Sequence, residues 1–130
     1  MALLFCLLLV FNVQAKPVYE HAHIASPEHY SVLLENEQVL VLKMVLKPGE
    51  SDRFHKHNAE TVYFQQGGRA VIKTEKASLN IDIPDGHTMW HDQWVHQVSN
   101  VGDTEIIAII VESKQTNYCL LYTSPSPRDS

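Results

Sequence analysis

The stretch from Pro48 to Gly68 reads PGESDRFHKHNAETVYFQQGG and contains His55, His57 and Glu60, residue types that bind metal ions. In extended backbone, residues i and i+2 point to the same side. His55 and His57 can therefore present both imidazoles to one point, about 6 to 7 Å apart along the chain. Glu60 keeps step with Val62 and Phe64, so if those two face the interior its carboxylate does as well. His96, followed at the same phase by Val98, can bring a third imidazole from a later strand. Three histidines and a carboxylate suit a divalent first-row ion (Fe, Mn, Cu, Ni or Zn) with one or two open positions for water or substrate. Taken alone, a His-x-His pair in a loop is more often two solvated histidines.

The other histidines carry weaker signals. His91 follows Trp90 and precedes His96 by five residues. It reads as a substrate contact or proton shuttle, or as a surface turn histidine. Tyr63 and Trp94 could stack on a ligand, although aromatics near a barrel rim are more often packing. His21-x-His23 repeats the chelating spacing without an in-phase carboxylate, and His29 and His87 read as structural. No Ser-His-Asp order, phosphate-binding loop or dinucleotide fingerprint is present, which argues against covalent hydrolase, NTPase and nicotinamide chemistry.

The elements that must position these side chains read as short strands. From Tyr30 to Val111, apolar β-branched runs alternate with turn residues and helical periodicity is absent. The expected strands are Ser31 to Glu35, Val39 to Leu46, Thr61 to Gln65, Arg69 to Thr74, Ser78 to Ile83, His87 to Trp90, Val95 to Ser99 and Ile106 to Val111. Pro48-Gly49, Gly67-Gly68, Pro84-Asp85-Gly86 and Val101-Gly102-Asp103 separate them as turns. Leu79, Ile81 and Ile83 alternate with Asn80 and Asp82, predicting one core face and one wet face. The run from Ile106 to Val111 predicts a strand covered on both faces. Such a strand count suits an all-β double-sheet jelly roll, residues 30–114, in a chain of 130 residues too short for two domains. A net charge of −5 argues against nucleic acid as a partner.

The ends read differently. Residues 1–15, MALLFCLLLVFNVQA, form an uncharged apolar run closed by Val13-Gln14-Ala15. This predicts a secretory signal peptide, too short to span a bilayer, and a secreted chain starting at Lys16. Residues 16–29 form an N-terminal segment. Residues 115–130, with CLLYTSPSPRDS at the end, read as a disordered tail, and also resemble translated cloning-adaptor sequence. Cys6 and Cys119 fall in these two ends, so the folded part is expected to lack a disulfide.

Together these residues resemble the cupins. The first cupin motif, G-x5-H-x-H-x3-4-E-x6-G, is matched by Gly49, His55, His57, Glu60 and Gly67. The second, G-x5-P-x-G-x2-H-x3-N, is matched by Gly86, His96 and Asn100. The resemblance is closest to small single-domain cupins that open with HY-x-V-x-x-EN, here His29 to Asn36. They also share Met89-Trp90, Asn100 to Thr104 and a closing Ile110-Val111-Glu112. Two spacings depart from the pattern. A count forward from His57 reaches Thr61 at the carboxylate position, whereas a count back from Gly67 reaches Glu60. The second motif is one residue short, with Asp92 and Trp94 where Pro and Gly would stand.

The resemblance implies a double-stranded β-helix barrel, with His55, His57, Glu60 and His96 at a divalent metal and a small molecule bound inside. It also extends to homodimers, since cupins often dimerise. Three activities fit it: a metal-dependent dioxygenase, a non-redox isomerase in which His91 or Glu60 moves a proton, and a non-catalytic small-molecule or sugar binder.

Overall fold

The structure is a computed structural model that describes residues 8–115. Cys6, Cys119, the first seven residues of the expected leader and nearly all of the expected tail lie outside the described residues. Residues 8–18 have no regular structure and are exposed. No helix among the described residues is long and apolar enough to cross a membrane.

Among the described residues, nine strands follow one short helix: α1 (Ala22–Ala25), β1 (Tyr30–Glu35), β2 (Val39–Leu46), β3 (His55–His57), β4 (Glu60–Gln66), β5 (Gly68–Lys73), β6 (Ser78–Ile83), β7 (Thr88–His91), β8 (Trp94–Asn100) and β9 (Ile106–Ser113). They form two antiparallel sheets, β1-β2-β9-β4-β7 and β3-β8-β5-β6, packed face to face as a double-stranded β-helix. The jelly roll expected from the strand pattern is therefore the observed fold. The additional strand, β3, is the extended His-x-His segment itself, which pairs along β8.

Alternation along the strands builds the interior. Leu40, Leu42, Met44 and Leu46 of β2 point inward, as do Val62 and Phe64 of β4 and Ile106, Ala108 and Ile110 of β9. Each large aliphatic side chain so buried stabilises the fold by about 1.5 to 3 kcal/mol. Two expectations of burial are corrected. Strand β9 is central in its sheet, but its outer face stays partly open, with Val111 38% exposed. On β6, an edge strand, Ile83 is buried and Ile81 packs partly buried against the core, whereas Leu79 is exposed.

Two glycines set the corners. A Cβ on Gly67 would lie 1.9 Å from the Ile83 carbonyl oxygen, so the chain passes from β4 to β5 only without a side chain. Gly86 has φ +79° and donates its N–H to Phe64 O at 2.7 Å, turning the chain back so that β7 lies along β4. Asn100 clamps the sheets together: its amide donates to the carbonyls of Leu46 and Thr104, both at 2.8 Å. The N-terminal segment packs on the barrel. Lys56 donates its N–H to Glu20 O at 2.9 Å, and Ala22 is fully buried.

Candidate metal centre

The register of β3 against β8 pairs His55 with His96, and His57 lies two residues further along the same inward face. All three side chains are buried. Ring centroids are 4.5 Å apart for His55 and His57, 4.7 Å for His55 and His96, and 5.1 Å for His57 and His96. One ligand nitrogen from each lies within 4.8 Å of the other two.

The hydrogen bonds fix which nitrogens are free. His55 Nδ1 is 2.6 Å from the Arg53 carbonyl oxygen, which can only accept, so Nδ1 carries the proton. His57 Nδ1 faces Glu112 Oε1 at 2.5 Å and donates to it in the same way. Both rings are thereby left with an Nε2 lone pair, and these two Nε2 atoms face each other at 2.8 Å. Two lone pairs held so close repel unless a cation lies between them. Nitrogen ligands about 2.0 to 2.1 Å from one ion stand about 3 Å apart at neighbouring positions. His96 supplies the complementary feature, since neither of its buried ring nitrogens has a hydrogen-bond partner. An orphaned polar atom of this kind costs about 1 to 3 kcal/mol. The trio thus fits a metal ion on its own geometry.

Burial holds all three imidazoles neutral, the form that ligates. It pushes His57 down to about 3, with His21, His23 and His91 adding to the depression. It lowers His55 and, further, His96, and in each of these the neighbouring histidines add to it.

Glu60 is buried while Thr61 is exposed on the outer face. The inward position is thus Glu60, as the count back from Gly67 and the phase with Val62 and Phe64 indicate. Its Oε1 accepts the Trp94 indole N–H at 2.9 Å, and its Oε2 lies 3.1 Å from His57 Nδ1. Glu60 therefore meets His57 on the side of the ring opposite to the point where the imidazoles converge. There it forms a second overlapping group with His57 and Glu112. Desolvation raises the Glu60 carboxyl to about 8, helped by the charge of Glu112 and opposed by the Trp94 hydrogen bond.

Glu112 and Asp52 were not anticipated. Glu112, next to the end of β9 and directly across from Glu60, is fully buried; desolvation raises its pKa, opposed by His21, His23 and His55. It continues the inward phase of Ile106, Ala108 and Ile110, which is the signal that could have found it. Its other oxygen lies 4.0 Å from His21 Nδ1, so the N-terminal segment contributes a histidine to the same polar layer. Asp52 accepts the Tyr30 hydroxyl at 2.6 Å and the Val98 N–H at 2.7 Å, and its Oδ2 lies 3.7 Å from His55 Nδ1, tying β8 beneath the histidines.

The remaining candidates lie away from the centre. His91 stacks on Trp94 at 3.6 Å, with its Nδ1 2.7 Å from the Asp92 carbonyl, and does not line the barrel cavity. Trp94 separates it from His96, whose ring lies 3.9 Å from the indole. Tyr63 is on the exposed outer face, His29 lies between Glu28 and Glu50, and His87 stacks on Phe64.

A cavity of about 40 Å³ adjoins the histidines inside the barrel. Its lining changes character along the strands. On β4 the lining runs from Glu60 through Val62 to Phe64, paired on β9 with Glu112, which does not itself line the cavity, then Ile110 and Ala108. The polar groups therefore gather at one end and hydrocarbon fills the other.

Among solved structures, the fold and sequence are similar to a cupin domain from Bordetella pertussis. The two are 25% identical over 66% of this chain and 92% of that one, with a TM-score of 0.61. The chain has the fold of a small cupin. An RmlC-like cupin with a double-stranded β-helix fold from Methanocaldococcus jannaschii shares the architecture at 18% identity, over 77% of this chain and 92% of the other, TM-score 0.52. A polyketide cyclase from Streptomyces resistomycificus does so at 12% identity, over 66% and 64% of the two chains, TM-score 0.53. No protein-family model matches this chain, and no curated protein matches it significantly.

Proposed function

We propose that this protein is a secreted, metal-dependent oxygenase acting on a small molecule inside the barrel. The observation that carries the reading is the buried trio of His55, His57 and His96 beside the cavity, with two Nε2 lone pairs face to face and His96 without a hydrogen-bond partner. The three histidines would hold the ion, and Glu60 would adjust the charge beside it. A redox-active metal bound there would supply electron exchange between substrate and dioxygen. The Arg53 carbonyl and Glu112 hold the His55 and His57 rings in the tautomer that ligates, as such outer partners do in metal sites. Trp94 fixes Glu60 by its indole N–H and covers His96, keeping water from that side.

One observation favours a second reading, a non-redox isomerase. Glu60 lines the cavity and keeps its proton up to about pH 8, so it can exchange a proton with a bound molecule. Metal analysis of the secreted, purified full-length protein separates the two. Iron or copper near one per chain supports the oxygenase. Zinc or nickel, with solvent deuterium entering a carbonyl compound, supports the isomerase, and absence of metal uptake by the three histidines defeats both.

A further inference from the structure

We infer that the barrel selects a small apolar molecule whose oxygen donors are confined to one end, and that it rejects sugars and dicarboxylic acids. The inference deepens the metal-binding reading above and rests on it for the head of the ligand. The body of the ligand is specified by the walls alone.

Among the described residues, the polar side chains lining the cavity are Tyr30, His57, Glu60, Trp94 and His96. Two of these are already committed, since the Tyr30 hydroxyl donates to Asp52 and the Trp94 indole to Glu60. Val62, Phe64, Ile83, Met89, Ala108 and Ile110 make up much of the remaining wall. Among the described residues, no lysine, arginine, serine, threonine, asparagine or glutamine lines it.

A polyol entering this space would leave most of its hydroxyls without partners, and each unpaired hydroxyl would cost binding. A second carboxylate would be buried against hydrocarbon with no cation to meet it. An alkyl or alkenyl tail loses nothing and gains by leaving water. The polarity gradient along β4 and β9 sets the direction: donors at the level of Glu60 and Glu112, tail at the level of Phe64 and Ala108. The size follows from the volume. About 40 Å³ accommodates roughly three water-sized groups, so the enclosed tail is a few carbons long.

The test uses full-length protein loaded with Co(II), whose visible absorption reports both metal uptake and ligand binding. The probes are acetohydroxamic, propanohydroxamic and butanohydroxamic acids, compared with oxalate and glucose. Affinity is expected to rise about fourfold for each added methylene, with oxalate and glucose binding more weakly than butanohydroxamate. In Val62→Ala the rise should continue for at least one further methylene, because the wall recedes. Affinity that is flat or falls with tail length, or oxalate or glucose binding more tightly than butanohydroxamate, would overturn the inference. Failure of Co(II) to bind would instead defeat the metal-binding reading. The tail series is then run with ethanol, 1-propanol and 1-butanol on metal-free protein, read by thermal shift, and a stabilisation that grows with chain length keeps the apolar selection while a flat series ends it.

Discussion

Replacing Glu60 by glutamine should make the metal-free protein more stable while weakening its hold on metal. The carboxyl rises from its ordinary 4.5 to about 8 on folding, mainly by desolvation. Folding therefore takes up a proton between those two values. For an acid raised in this way, the stabilisation is complete below about 4.5 and is lost as pH climbs toward 8. Each pH unit in that window costs about 1.4 kcal/mol. At pH 7 the burden of Glu60 is thus on the order of 3 kcal/mol. Glutamine keeps the size and the acceptor for the Trp94 indole but has nothing to titrate. Urea unfolding of chelator-treated protein at pH 5, 6, 7 and 8 should show the variant gaining on the wild type as pH rises. Calorimetric metal titration above pH 8, where Glu60 is ionised, should show affinity falling by about tenfold or more, because the negative charge close to the site is gone. Thr61→Val, on the outer face, should change neither. A stability difference that does not vary with pH, combined with unchanged metal affinity, would refute the assignment of Glu60 to the site.

Metal binding to the folded protein should persist below pH 6.5 and weaken only as pH falls into the depressed range of the buried histidines, about 3 for His57, where protons begin to compete with the ion. In metal-free protein the same depressed values make stability fall below 6.5, where the unfolded histidines charge and the buried ones do not; metal titration and melting temperatures from pH 8 down to the onset of acid unfolding check both. Glu112→Gln should lower metal affinity by about 10- to 100-fold by removing the charge that orients His57, without altering the secondary structure seen by circular dichroism. Gly67→Ala should destabilise the fold by on the order of 3 kcal/mol in urea unfolding, since its Cβ meets the Ile83 carbonyl. Secreted material should begin at Lys16 by N-terminal sequencing, and retention of Met1 would remove the signal peptide.

Much of this architecture is legible in the sequence because each long strand alternates. The phase of Leu40 to Leu46 and of Glu60 to Phe64 is enough to aim those side chains inward. Strand β3 is harder to recognise. It has three residues, all polar, and becomes a strand only because β8 lies beside it. Glu112 escapes notice for the opposite reason: Ile106 to Val111 is apolar at every position, so no alternation marks which face the glutamate continues. Asp52 lies in a connection without period, and only the folded chain brings it to Tyr30 and Val98. Trp94 conceals the position of His91, since a linear spacing of five residues does not reveal an indole standing between two imidazoles.

The placement of β9 orders the assembly of the molecule in time. The sheet β3-β8-β5-β6, with all three histidines, is complete once the chain has been synthesised to Asn100. The other sheet has its last strand in the middle, between β2 and β4. Until Ile106–Ser113 docks between them, β2 and β4 each lack a partner along a mostly apolar edge. Such edges invite pairing with other chains, and pairings this distant in sequence form slowly. In chain order the strands that carry the histidines thus all precede β9, whose Ala108 and Ile110 complete the cavity wall beside them.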